Sequence, residues 1–188
     1  MTEIESGPIP GLGWHWDMID EAAKWGFNCG PASLCAVLDK TPAEIRPHLR
    51  EFERKGYTNP SLMAGILRDL HVPFRRVFQS ARQPALGSVV WPVWGLARIQ
   101  WGGPWTRPGV PMRARYRHTH WIGFRRGNGI SHDVVFDVNA LSVGGWISFA
   151  EWANELIPWL LDQVEPKASG AWWPTHCWEI RNGSDSVR

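Results

Sequence analysis

Cysteine is scarce in this 188-residue sequence. Cys29, Cys35 and Cys177 show no paired spacing, which excludes a disulfide framework and fits a reducing compartment. Metal ligands are equally unorganised. His118, His120, His132, His176 and Cys177 include no tight ligand pair with a matching second pair, so no metal site is expected. The N-terminus lacks a basic stretch leading into an apolar one, and no secretion signal is expected. No run approaches the roughly 20 apolar residues of a membrane span. These absences point to a soluble cytoplasmic protein without a membrane partner. Net charge is also small, at +2, too little to argue for a nucleic-acid partner. No internal repeat or linker appears. No Lys-Ser/Thr follows Gly102-Gly103-Pro104 or Gly144-Gly145, so these are turns rather than phosphate loops. No cofactor is called for.

What is present is globular: 44% hydrophobic and 20% charged residues, suited to one domain over residues 1–188 with a sizeable core. The ends, 1–13 and 182–188, read as irregular arms. Fourteen tryptophans are a large excess. Most belong in a core, since each adds a large apolar area and one N–H to satisfy. Trp14, Trp16, Trp101, Trp105, Trp172 and Trp173 lie among Gly and Pro. They either line an aromatic groove or staple loops to the body. Arg107, Arg113, Arg115, Arg117, Arg125 and Arg126 crowd one segment, either as a basic rim or as a solvated edge.

Helix signals dominate the first third. Leu34, Val37 and Leu38 recur at helical spacing after Gly30-Pro31, predicting a helix over 29–39. Thr41-Pro42-Ala43-Glu44 is a capping box opening a helix over 42–55, limited or bent by Pro47. Asn59-Pro60 opens a third, with Leu62, Met63, Ile66, Leu67 and Leu70 on its apolar face. After His71 the signals become strands: 74–78, one or two within 88–101, 120–124, 134–138, a short one after Gly144-Gly145, and 175–180. Residues 102–117 read as a long loop, and Arg126-Gly127-Asn128-Gly129 as a hairpin turn. A helix over about 149–162 carries Trp152, Leu156, Trp159 and Leu160. Helices first and a mostly antiparallel sheet later make an α+β domain.

The chemistry starts at Asn28-Cys29-Gly30-Pro31-Ala32-Ser33-Leu34. A thiol attacks only as thiolate, and a helix N-terminus favours that anion through its dipole and free N–H groups. The same N–H groups, that of Cys29 included, suit an oxyanion. Gly30 permits close approach of a substrate backbone. Cys35, amid Leu34, Ala36 and Val37, reads as core. Strand alternation puts His118 and His120 on one face. His120 abuts the apolar run Trp121–Phe124 and is the better-held general base, with Trp121 and His118 beside the cleft. An imidazole base needs an orienting acceptor. Asp137 interrupts an apolar strand, where an unpaired carboxylate is costly, and the hairpin returns it beside His120. It serves either as orienter or as a strand-end carboxylate bonded to backbone. Asn139 is an alternative orienter.

The order Cys, His, Asp, with Asn28-Cys29-Gly30-Pro31-Ala32 opening a helix, then His120-Trp121-Ile122-Gly123 and Phe136-Asp137 on strands, resembles the papain-like cysteine peptidase superfamily. It is nearest to its double-glycine, bacteriocin-processing branch. The resemblance covers roughly residues 20–140. It implies a papain-like fold and a Cys29–His120–Asp137 triad hydrolysing a peptide or related amide, with a peptide or protein as substrate. The pattern departs in one place: the superfamily's Gln a few residues before the Cys is absent. The oxyanion donor then falls to Asn28 or the Trp25 indole, beside the Cys29 N–H. The alternative is a catalytically silent papain-like domain that binds a protein partner. A cellular or phage accessory protein fits either.

Overall fold

Each early helix begins where the sequence supplies a start signal. The computed structural model describes residues 20, 23–24, 29–85, 87–128 and 132–181, so the N-terminal arm, Trp14, Trp16 and residues 182–188 lie outside the described residues. Helix α1 spans Cys29–Leu38, with Pro31 in its first turn, where a missing N–H leaves no bond unmade. The capping box forms as expected: Thr41 accepts from the Glu44 N–H, and the Glu44 side chain accepts from the Thr41 N–H. The helix it opens is divided in three. Helix α2, Pro42–Ile45, passes into a 3-10 turn at Arg46–His48, and α3 follows at Arg50–Lys55. Pro47 sits in that turn, where it can neither donate nor tolerate an uninterrupted α-helix. Helix α4, Pro60–Asp69, starts from Asn59, whose side chain accepts from the Leu62 N–H.

Six strands form one sheet: β1 Phe74–Gln79, β2 Trp94–Trp101, β3 Thr119–Arg125, β4 Val134–Phe136, β5 Trp146–Ser148 and β6 Trp172–Ile180. Their order is β1-β6-β2-β3-β4-β5, and every neighbouring pair is antiparallel. The fold is therefore α+β. β2 is a single strand that contains Gly95, because a side chain there would run into the Trp178 carbonyl of β6. The predicted loop 102–117 is not structureless. It holds a 3-10 turn at Pro104–Thr106, a short helix α5 at Met112–Arg115 and a second 3-10 turn at Tyr116–His118. The turn expected at 126–129 is longer, since the Gly127 N–H donates to Asp133 and the strands pair from Arg125 opposite Val134; Gly129 lies outside the described residues. The last helix runs through α6 (Phe149–Glu151), a π-turn (Trp152–Leu156) and α7 (Ile157–Asp162).

The sheet is buried on both faces. One core joins α1, α2 and α4 to Leu96, Trp121, Phe136 and Trp178. The other gathers Ile99, Ile122, Phe124, Val135, Trp152, Ile157 and Leu161. The apolar stripe of the last helix differs from the predicted one. Trp152, Ile157 and Leu161 point inward, while Trp159 is 58% exposed. The π-turn adds a residue to one turn, so inward positions fall five and then four apart.

Helix α1 lies against β3. The Ser33 hydroxyl donates to the Trp121 carbonyl at 3.1 Å, and the Trp94 indole N–H, at 3.0 Å, satisfies the Val37 carbonyl near the far end of the helix. This contact depends on Gly123. A Cβ there would fall 2.9 Å from Val37 Cγ2 and 3.0 Å from Phe136 Cβ, and both neighbours are fixed in the core. Gly123→Ala is expected to destabilise the fold by about 1–3 kcal/mol, the usual cost of overpacking. Urea denaturation checks it, and a midpoint equal to that of the unaltered protein would refute close packing at this crossing.

Candidate active site

Cys29 is the first residue of the ten-residue helix α1 and is half-buried. Its position places the sulfur at a helix start, where the first N–H groups have no partner within the helix. A hydrogen bond from the Trp121 backbone N–H and another with His120 converge on it. Burial alone raises the thiol pKa. The His120 charge and these two hydrogen bonds outweigh burial, so Cys29 titrates below an ordinary thiol.

His120 lies near the start of β3 and is 7% exposed. Its Nε2 meets Asp137 Oδ2 at 2.9 Å, which leaves Nδ1 as the ring nitrogen for Cys29. Burial works to lower the imidazole pKa. The Asp137 carboxylate and the Cys29 thiolate overcome it and raise the pKa to about 10. The Trp101 ring stacks on the imidazole, centroid to centroid 5.6 Å and 24° between planes. An aromatic face at this distance also favours an imidazolium.

Asp137 is fully buried. The strand expected over 134–138 stops at Phe136, so Asp137 lies just past β4 and caps the following 3-10 turn, Val138–Val143. The same side chain contacts both the His120 imidazole and the backbone N–H of Asn139. Oδ2 accepts from His120 Nε2 and, at 2.8 Å, from Trp152 Nε1. Oδ1 accepts from the backbone and side-chain amides of Asn139, each at 2.9 Å. Burial pushes the carboxyl upward, but the His120 charge and these donors bring it below the ordinary range. The three groups thus favour a chain of thiolate, imidazolium and carboxylate.

Asn139 holds Asp137 rather than His120, being exposed and turned back onto its own cap. Gly30 is buried, and a Cβ on it would lie 2.5 Å from Thr58 Oγ1. Packing against Thr58, not an open substrate face, occupies that side of Gly30. The Trp121 side chain is 2% exposed and gives its indole N–H to the Thr58 carbonyl at 2.8 Å; its backbone hydrogen-bonds Cys29. His118 is not on the strand, so alternation does not align it with His120. It closes the 3-10 turn and stacks on Trp105, with ring centroids 3.5 Å apart. Burial, and the nearby Arg117 charge, lower its pKa. Asn28 and Trp25 lie outside the described residues.

The tryptophans around 101–105 and 172–173 act as staples. Trp101, Trp105 and Trp173 are at most 8% exposed, Trp172 and Trp173 belong to β6, and Trp105 gives its N–H to the Trp101 carbonyl. Of the arginine segment, Arg107, Arg113, Arg117 and Arg126 are exposed to solvent. Cys35 is fully buried, as is Cys177, whose thiol burial pushes up to about 12. Among the described residues no three His, Cys, Asp or Glu stand together as metal ligands, and no helix is long and apolar enough to cross a membrane.

Sequence reasoning missed Trp152, read as one residue of an apolar stripe. The available signal was complementarity: a buried indole N–H needs an acceptor, and a buried carboxylate needs donors. Comparison of the chain with protein-family models, curated proteins and solved structures returned no match.

Proposed function

We propose that this protein is a cysteine peptidase or related thiol-dependent amide hydrolase of papain-like architecture. The observation that carries the reading is the continuous relay from Cys29 through His120 to Asp137. The order of those residues along the chain and the thiol's place at a helix start add to it. The Cys29 sulfur attacks the carbonyl carbon, and the electron pair moves to oxygen, facing the Cys29 N–H. Collapse breaks the C–N bond as His120 gives its proton to the departing amine. Water, deprotonated by the now neutral His120, then attacks the thioester, releases the acid and restores the thiolate–imidazolium pair. Asp137 orients the imidazole throughout. The substrate is a peptide, a protein or another amide.

Iodoacetamide at mildly acidic pH, with the adduct mapped, tests the nucleophile without a known substrate. Cys29 is expected to label far faster than Cys35 and Cys177, because its thiol titrates below the ordinary value, whereas Cys35 is sealed in the core and the Cys177 thiol is pushed up to about 12. Equal labelling would remove the assignment and leave the partner-binding reading. Hydrolysis should follow a bell. It rises through the lowered Cys29 value, because the thiolate is then present. It falls near pH 10, because His120 there loses the proton it must deliver. A profile without an alkaline limb would contradict the acid role of His120.

A further inference from the structure

We propose that Trp152 is a positioning residue of this site: its indole N–H fixes the Asp137 carboxylate in the attitude in which the same oxygen meets His120. The inference rests on the thiol-hydrolase reading and deepens it.

The geometry is specific. Trp152 Nε1 donates to Asp137 Oδ2 at 2.8 Å, and His120 Nε2 meets that same atom at 2.9 Å. Asn139 engages only Oδ1, through two donors. Without the indole, the His120 bond alone would hold Oδ2, and the carboxylate would be free to pivot about its Asn139 anchor. Trp152 is fully buried, so it cannot touch substrate, and its effect must pass through Asp137.

The surroundings fix the ring. Trp172 meets it edge-on at 5.0 Å and 77°, and Phe149 packs at 5.7 Å. Trp152 also opens the π-turn. Turns of this kind are rare, and they occur frequently at functional sites. Here the turn sets Trp152 and Ile157, five residues apart, on the same buried face. The titratable groups facing His120 are Cys29 from α1 and Asp137 from the end of β4. A carboxylate that swings out of the imidazole plane weakens its hold on the imidazolium, which in turn stabilises the thiolate less.

The test is the pH titration of the Cys29 thiolate by its ultraviolet absorbance, with Cys29→Ala as the blank. It is run on the full chain, on Trp152→Phe, and on a protein carrying benzothienylalanine at position 152, an isostere of tryptophan that lacks the N–H. Both altered proteins are expected to show the thiolate midpoint raised by about one pH unit, the size of one hydrogen bond to a charged group. If Trp152→Phe fails to fold, the isostere decides. An unchanged midpoint in the isosteric protein would overturn the positioning role and leave the hydrolase reading intact. A wild-type Cys29 that titrates as an ordinary thiol near 9.0 would sink the hydrolase reading itself, and the role of Trp152 with it.

Discussion

Cys29→Ala is expected to remove amide hydrolysis, with a loss on the order of 10⁴-fold or more, as when the nucleophile of a cooperating set is deleted. No other thiol among the described residues can replace it. Cys35 is sealed in the core, and Cys177 is buried with its pKa near 12. The variant should fold, since the change removes one half-buried sulfur at a helix start. It also reports on the relay independently of any substrate. The Cys29 thiolate is one of the charges that raise His120 to about 10. Taking it away should lower the His120 midpoint, read by NMR on the imidazole, while Asp137 keeps it from falling all the way to the ordinary value. An unmoved midpoint would mean that the sulfur and the imidazole are not electrostatically joined, and the proposed mechanism would lose its first step.

The helix start matters beyond the thiol. A sulfur inside α1 would face the neighbouring turn, with every backbone N–H already paired. At the first position the N–H groups have no partner within the helix, and the sulfur also reaches the Trp121 N–H of β3. In the proposed mechanism the contact between α1 and β3 is therefore part of the chemistry. Gly123 lies on β3, the strand that carries His120, and leaves room there for Val37 of α1 to approach.

Local signals in the sequence carried the helices well. Pro31, the Thr41 capping box and Asn59-Pro60 act through bonds within a few residues, and each opens a helix where it stands. Cys29, His120 and Asp137 stand out for a related reason: each is chemically out of place in its local sequence, a thiol beside Gly30-Pro31, an imidazole against the apolar run Trp121–Phe124, a carboxylate within the apolar run 134–138. The substrate-side residues were not legible. The sequence pattern places Gly30 and Trp121 at a cleft, but Thr58, from the segment before α4, fills the space beside one and binds the indole of the other. Such an encounter depends on how α4 packs, which no local pattern encodes. His118 was misplaced because alternation was extended one residue past the strand's start at Thr119. The π-turn was invisible for the same sort of reason. Its inward positions break the helical period, so the pattern favoured Trp159, which is exposed.

Asp137→Ala is expected to have the second large effect, and on stability as well as rate. The carboxylate gathers four donors on two oxygens. Alanine leaves a buried indole N–H and a buried imidazole without their partner, a cost of about 3–5 kcal/mol for breaking a buried pair. Asp137→Asn should not repair this. Its amide offers one acceptor oxygen and one donor group, so whichever way it turns, N–H faces N–H on one side. Hydrolysis should fall about 10³–10⁴-fold in either variant, since the imidazole loses its orientation. The acid behaviour separates the carboxylate's charge from its shape. In the unaltered protein the folded Asp137 carboxyl titrates below its ordinary 3.8. Its contribution to stability is therefore present above that pH and is lost as the pH falls through the depressed folded value. Asp137→Asn has no carboxyl to protonate, so its unfolding free energy should change less over that acid range. Urea denaturation at stepped pH measures both. Equal acid sensitivity in the two proteins would mean that the buried carboxylate is not held ionised by His120, and that Asp137 acts only as the cap of the turn that follows it.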